Sequence, residues 1–279
     1  MQISQYLCST CGSVLKETAE YIDIHSLREE CPSCGSLLAE SLERRPLRPA
    51  FKWSPPKIQT ADTLLKLKFD IAKIDSFIGL GHTDLCCIDG YNANVLLTRL
   101  CIRSLLPERH SGLNSPYVLV ADTGNCSDVY RAINFARQYG MKKESVAERI
   151  LVIRAFTIPQ VLRLLSIEIP SVIRKYQIKS VIIPGLLNTL DEEPTLKAKE
   201  AKKITGKIMK IVHEISSKIL VVTSIQDGSR YSEWILPDFK KRIELFTPKD
   251  GRLAAELYNQ GHRKTISLTE REMLVVPKK

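Results

Sequence analysis

The sequence predicts an α/β protein: a mainly parallel twisted sheet flanked by helices, with a C-terminal antiparallel extension, preceded by a small cysteine-rich module. Three observations predict it. Two Cys-x-x-Cys pairs stand near the N-terminus; short apolar runs then alternate with segments of helical period; and the last stretch changes to strand-like alternation. The length of 279 residues suits a small module plus a larger core-forming domain.

Hydrophobic residues make up 44% and charged residues 26%, a balance that excludes a disordered or fibrous chain. Lys and Arg outnumber Asp and Glu by 41 to 31, a net charge of +10 that favours polyanionic partners, although solvated lysines on surface helices give the same total. The N-terminus has no basic segment followed by an apolar one. No run approaches the roughly 18 apolar residues of a membrane span, so the expectation is a cytoplasmic, nucleoid-associated protein with no membrane partner.

The first module is expected over residues 1–42. Cys8-Ser-Thr-Cys11-Gly12 and Cys31-Pro-Ser-Cys34-Gly35 are two similar knuckles, each turning two thiolates toward one centre, and together they supply a tetrahedral S4 site. The glycine after each second cysteine permits the left-handed backbone that lets amides face the sulfurs. A thioredoxin-type site would need one such motif opening a helix in an α/β unit, and neither has that setting. Cys8, Cys11, Cys31 and Cys34 are therefore read as ligands of a structural zinc in a zinc ribbon whose short strands fall within residues 14–24. His25 is surplus to a closed site. The other cysteines, Cys86, Cys87, Cys101 and Cys126, stand in apolar or unpatterned surroundings, as reduced thiols do.

Residues 43–60 read as a linker without regular structure. Arg44, Arg45, Arg48, Lys52 and Lys57 interleave there with Pro46, Pro49, Pro55 and Pro56. Phe51 and Trp53 in this basic stretch can stack on bases, plug into a neighbouring subunit or pack back onto their own domain.

Residues 61–279 form the large domain. Its expected buried strands are 85–88, 117–121, 150–154, 181–183 and 219–223, each short and apolar. Helical period covers 127–139, 159–176 and 196–216. The last carries an apolar stripe of Ile204, Ile208, Ile211, Val212 and Ile215 with Lys199, Lys203, Lys207 and Lys210 beside it. Residues 242–246, 253–258 and 265–268 alternate as antiparallel strands, the first two joined by Lys249-Asp250-Gly251.

This order of elements resembles the RecA-like core of the archaeal RadA and eukaryotic Rad recombinase family over residues 64–270. Asp122-Thr123, followed by a helix ending Arg137-Gln-Tyr-Gly140, is similar to the family's strand ending Asp-Thr-Glu and its next helix. Ile150-Leu-Val-Ile-Arg-Ala-Phe-Thr157 is similar to its Ile-Leu-Val-Ala-Arg-Ala-Phe segment. The ribbon lies outside the resemblance.

The family binds ATP through a GxxxxGK[ST] loop whose amides and lysine hold the phosphates. Here that junction reads Ile88-Asp89-Gly90-Tyr91-Asn92-Ala93-Asn94-Val95, with one glycine and no lysine, so a triphosphate is expected to meet Asp89 in place of a cationic cradle. Asn92, Ala93 and Asn94 thus mark a degenerate phosphate site. Gly124 stands where the family has its catalytic glutamate, and Pro184 where a strand should end in a magnesium-orienting aspartate. Loss of cradle, base and metal partner implies a pseudo-ATPase that needs neither ATP nor magnesium. Gln226 stands one position from the family's sensor glutamine.

What the resemblance implies is a noncatalytic paralogue serving as a nucleic-acid-binding or adaptor subunit in DNA recombination, repair or replication. Its partners would be DNA, and a recombinase or a replication or repair factor. Loops after the fourth and fifth core strands carry DNA contacts in the family; the matching positions are Lys197, Lys199, Arg230 and Lys240, to which the linker adds Arg44, Arg45, Arg48 and Lys52. The alternative is an RNA-associated scaffold resembling the ATPase-degenerate, RecA-like subunits of Elongator, which serve as a tRNA-associated ring.

Overall fold

The computed structural model describes residues 4–8, 11, 14–18, 30–31, 33–34, 42–46, 66–248 and 251–277. The chain divides into two compact units, Met1–Asp62 and Thr63–Lys279.

In the first unit, β1 (Ser4–Cys8) pairs antiparallel with β2 (Val14–Thr18) on one side and β3 (Leu42–Pro46) on the other. β3 corrects the sequence reading, which left Arg44 and Arg45 in an irregular linker. Its five residues run in unbroken register from Ser4↔Pro46 to Cys8↔Leu42. Edge strands tolerate charge and a terminal proline because one side of the ladder is free of partners, so pairing with β1 overrides a composition typical of linkers. Arg48, Phe51, Lys52 and Trp53 lie outside the described residues.

The second unit is a three-layer α/β structure with an eight-stranded sheet ordered β11-β10-β9-β4-β8-β7-β5-β6. The strands are β4 (Leu85–Gly90), β5 (Val118–Asp122), β6 (Ile150–Arg154), β7 (Ser180–Ile183), β8 (Leu220–Ile225), β9 (Lys241–Phe246), β10 (Ala254–Asn259) and β11 (His262–Ser267). β6, β5, β7, β8, β4 and β9 run parallel, and β10 and β11 continue the sheet antiparallel.

Burial explains this division. Alternate residues of β4, β5 and β7 enter two separate cores: Cys86, Ile88, Val120 and Ile182 face one, Cys87, Leu119, Val181 and Ile183 the other. Strands apolar on both faces need helices on both faces, which parallel crossovers supply. The first core lies under α2 (Ala93–Leu105), α3 (Val129–Gln138) and α4 (Lys143–Ala147), after a short α1 (Ala72–Asp75). The second lies under α5 (Ile158–Arg163), α6 (Ile169–Tyr176), a short α7 (Asn188–Asp191), α8 (Ala198–Ser216) and α9 (Ser232–Ile235). The expected helix over 159–176 is interrupted by one π-helical segment, Leu164–Glu168, which joins α5 to α6. β9 and β10 bury only one face, with Ile243, Leu245, Ala255 and Leu257; their other face carries Arg242, Glu244, Glu256 and Tyr258.

Two arginines that look like surface charges are fully enclosed. Arg99 on α2 donates to the carbonyls of Glu272 (2.8 Å), Met273 (3.1 Å) and Asp70 (2.9 Å), and lies over Phe135. Arg103, one turn on, bonds Lys68 O and His110 O (2.7 Å) and pairs with Asp70 at 3.3 Å. Together they fasten the start of the domain and α10 (Glu270–Leu274) to α2. Among the described residues no helix is long and apolar enough to cross a membrane.

Candidate functional site

In α/β sheets ligands favour the carboxyl ends of the strands. Here the ends of β4, β5, β7 and β8 surround a cleft of about 310 Å³. Gly90, Asn92, Ala93, Asn94 and Val95 form one wall, Cys126, Asp128 and Arg131 the second, Gly185 and Asn188 the third, and Ser224, Ile225 and Gln226 the last. Of the five degenerate positions read from the sequence, Asn92, Ala93 and Asn94 line this cleft, Gly124 packs on its lining residues Asn188 and Gly185, and Pro184 lines a neighbouring cavity.

The connection from β4 to α2 is only Tyr91 and Asn92. Gly90 takes a positive φ of 89° and lies so close to β9 that a Cβ there would come within 2.0 Å of Leu245 O. Tyr91 N donates to that same carbonyl at 3.0 Å, and Asn92 is left-handed at φ 59°. The turn is thus held against β9 and passes into the helix at once. No side chain caps the N-terminus of α2, which keeps the partial positive charge of its end, but two connecting residues cannot wrap successive amides around a phosphate.

Neutral groups fill the rest. Ser224 donates to Asn94 Oδ1 at 2.6 Å and accepts from Gly185 N at 2.9 Å. Asn188 donates to Gln226 Oε1 at 3.1 Å, which is where the displaced glutamine goes. Asn188 Oδ1 is buried without a partner. Among the described residues the one cation lining the cleft, Arg131, is paired with Asp128 at 3.4 Å. Burial pushes the Cys126 thiol up to about 11, so it is no nucleophile near neutral pH.

Gly124 and Gly185 pack against each other. A Cβ on Gly124 would meet Asn188 Nδ2 at 2.7 Å and Gly185 Cα at 2.9 Å. The position that the resemblance gives to a catalytic glutamate therefore has no room for any side chain. Pro184 contributes its carbonyl, which accepts from Thr123 Oγ1 at 3.1 Å. Asp122, fully buried, receives Cys126 N at 3.0 Å and Ser127 Oγ at 2.6 Å and pairs with Arg154 at 3.3 Å. It organises the loop leading to α3.

Asp89 corrects the sequence reading: it does not face the cleft. It follows Cys87 onto the opposite face of β4, where Arg242 Nε lies 3.9 Å away. Burial, with Glu244 and Asp227 adding to it against the pull of Arg242, raises its carboxyl to about 7.

The cysteines form the second candidate site. The Cys11 and Cys31 sulfurs are 3.8 Å apart, and those of Cys11, Cys31 and Cys34 all lie within 4.8 Å of one another. Four sulfurs held tetrahedrally at about 2.3 Å from one ion stand about 3.8 Å apart. These three cysteines can hold a metal. Cys8 ends β1, and its side chain falls outside the described part of the chain.

Lys197, Lys199 and Lys240 are exposed. Arg230 is exposed too, but it donates to Asp191 O at 2.6 Å and to the carbonyls of Leu190 and Glu193, with its ring partner Tyr231 beneath it. Arg44 and Arg45 lie on β3, and their side chains are outside the described part. Sequence reasoning missed Thr98, Arg131, Asn188 and Ser224 in the cleft. Asp128 was readable as a helix cap, since its carboxylate accepts from Arg131 N at 2.8 Å; the others carry no local signal. No family model matches the sequence, and none of the curated proteins matches it at a significant level.

Proposed function

We propose that the chain is a noncatalytic, RecA/RadA-like adaptor that binds nucleic acid and a protein partner in DNA recombination, repair or replication. The observation that carries this reading is the two-residue turn between β4 and α2, fastened to Leu245 O and backed by a neutral network in place of a phosphate cradle. Polyphosphate recognition needs converging amides and unpaired cations. With Arg131 paired and no lysine in the lining among the described residues, the cleft offers a charged nucleotide little beyond one helix end.

The architecture is consistent with the resemblance: a parallel sheet extended antiparallel beyond β9. An adaptor role gains support from β6, which pairs with β5 alone among the described residues. Beside it an apolar cavity of about 200 Å³ is lined by Leu97, Val120, Ala132, Ile150 and Val152. An open strand edge next to an apolar hole suits an extended segment with one hydrophobic anchor. In the first unit, the cysteines would hold zinc as a closed S4 site with Cys8 as fourth ligand. Zinc there supplies folding energy and no chemistry, since a closed site has no position for substrate.

Two assays test the reading together. Steady-state hydrolysis of Mg-ATP should stay at the buffer level, and the full chain should bind DNA at low salt. Turnover that requires magnesium and disappears in Asp122→Asn would overturn the noncatalytic assignment, and strong preference for tRNA over DNA would move the protein to an RNA-associated scaffold.

A further inference from the structure

From the distribution of unpaired charge we infer that the outer face of α8 is the surface on which the chain holds a nucleic-acid backbone. This rests on the nucleic-acid reading above and assigns it a place, away from the strand-end cleft and largely away from the loop positions that the resemblance suggested.

Lys199, Lys202, Lys203, Lys207 and Lys210 are all exposed. At about 100° per residue they fall within an arc of about 140°, opposite Ala201, Ile208, Val212 and Ile215, which enter the core. The same helix carries only Glu200 and Glu214 as acids. Among the described residues none of the five lysines has an ion-pair partner. Many other cations of the domain are spent internally: Arg99 and Arg103 are buried, Arg131, Arg154 and Lys241 face carboxylates, and Arg230 holds carbonyls.

The neighbouring helix extends the patch. A groove between α6 and α8 has Ile173 and Ile211 in its floor and Arg174 and Lys218 on its rim, with Glu214 as its one acid. Lys175 stands exposed on the same helix, over the Tyr176 ring.

Spacing decides what such a face fits. From Lys199 to Lys210 the helix rises about 16 Å at about 1.5 Å per residue. Phosphates along one strand of a duplex advance about 3.4 Å per step, so the row spans about five of them. A lysine is a mobile point charge that neutralises phosphate without reading a base. The ligand chemistry is therefore the phosphodiester backbone of duplex DNA, bound without sequence preference.

The test is fluorescence anisotropy of the full chain with labelled duplex DNA, single-stranded DNA and single-stranded RNA, titrated from low to high salt. Five contacts give a slope of log K against log salt of about −4.5 on duplex and about −3.5 on single strands. The triple variant Lys203→Gln, Lys207→Gln, Lys210→Gln should lose about 2.7 and about 2.1 of these slopes and bind on the order of 100-fold more weakly near 0.1 M salt. Glutamine keeps the helix propensity of lysine, so Tm should hold. The control Arg109→Gln, Arg137→Gln, Lys142→Gln removes the same charge from exposed positions elsewhere and should leave the slope unchanged. Equal losses in both variants would show that binding follows net charge, and an unchanged slope in the α8 variant would place the contacts elsewhere; either overturns this assignment alone. If the wild-type chain binds none of the three probes at low salt, the nucleic-acid reading falls with it. Highest affinity for the duplex is the expected result, and tighter binding of either single strand would overturn the choice of duplex DNA.

Discussion

Restoring a glutamate at Gly124 is the substitution that would rebuild a catalytic base if the cleft were a dormant ATP site. The structure predicts that Gly124→Glu damages the fold and restores nothing. Its Cβ would lie 2.7 Å from Asn188 Nδ2, 2.9 Å from Asn188 Cγ and 2.9 Å from Gly185 Cα. Ordinary contact needs about 0.5–0.7 Å more room, and one of the three obstacles is backbone, which gives way only by moving β7's following turn. Overpacking of this kind costs about 1–3 kcal/mol. Displacing Asn188 also breaks its bond to Gln226 and leaves buried amides unsatisfied, about 1 kcal/mol more. A total of about 2–4 kcal/mol lowers Tm by about 5–15 °C in a domain of this size. Calorimetry of the purified variant measures the shift, and a coupled assay follows ATP. A variant with wild-type Tm and new magnesium-dependent turnover would refute the packing argument and the noncatalytic reading together.

Other expectations follow from the same contacts. Arg99→Met keeps the bulk inside the core but removes the donor to four carbonyls; Asp70 retains Arg103, so the loss should be about 2–3 kcal/mol by urea denaturation. Asp89 titrates near 7 in the fold, above its ordinary value, so the native state binds the extra proton and stability from this group falls as pH rises from about 4 to about 7. Asp89→Asn should therefore gain stability relative to wild type across that window, and a constant difference between the two would contradict the burial argument. In the first unit, Cys31→Ser with Cys34→Ser should abolish stoichiometric zinc in metal analysis and leave the Tm of the large domain unchanged.

Much of the sheet was legible because its strands are buried on both faces. A run such as Val118-Leu-Val-Ala-Asp122 or Leu220-Val-Val-Thr-Ser-Ile225 has few other places to go in a folded chain. β9 to β11 were legible for a different reason, their alternation, which follows from one wet face. The elements that escaped are those set by distant partners. β3 exists because β1 offers it an edge, which its arginines do not announce. The direction of Asp89 depends on the pleat of β4, so one residue decides whether a carboxylate meets the cleft or Arg242. In the cleft, Asn94 and Ser224 are joined across 130 positions of sequence, and Asn188 reaches Gln226 from another strand end. Residue types mark the missing lysine and glutamate. Only the fold brings two glycines into contact where the glutamate would stand.

The most direct test of the account is the thermal response of the full chain to Mg-ATP. A nucleotide bound with micromolar affinity and present at about 1 mM would stabilise the fold by about 4 kcal/mol, a rise of about 8–16 °C. The cleft described here, with its two-residue turn, its paired Arg131 and its closed Gly124–Gly185 contact, predicts a shift below about 1 °C, the same with and without magnesium. A magnesium-dependent rise of several degrees would contradict it and show that the strand ends still hold a triphosphate.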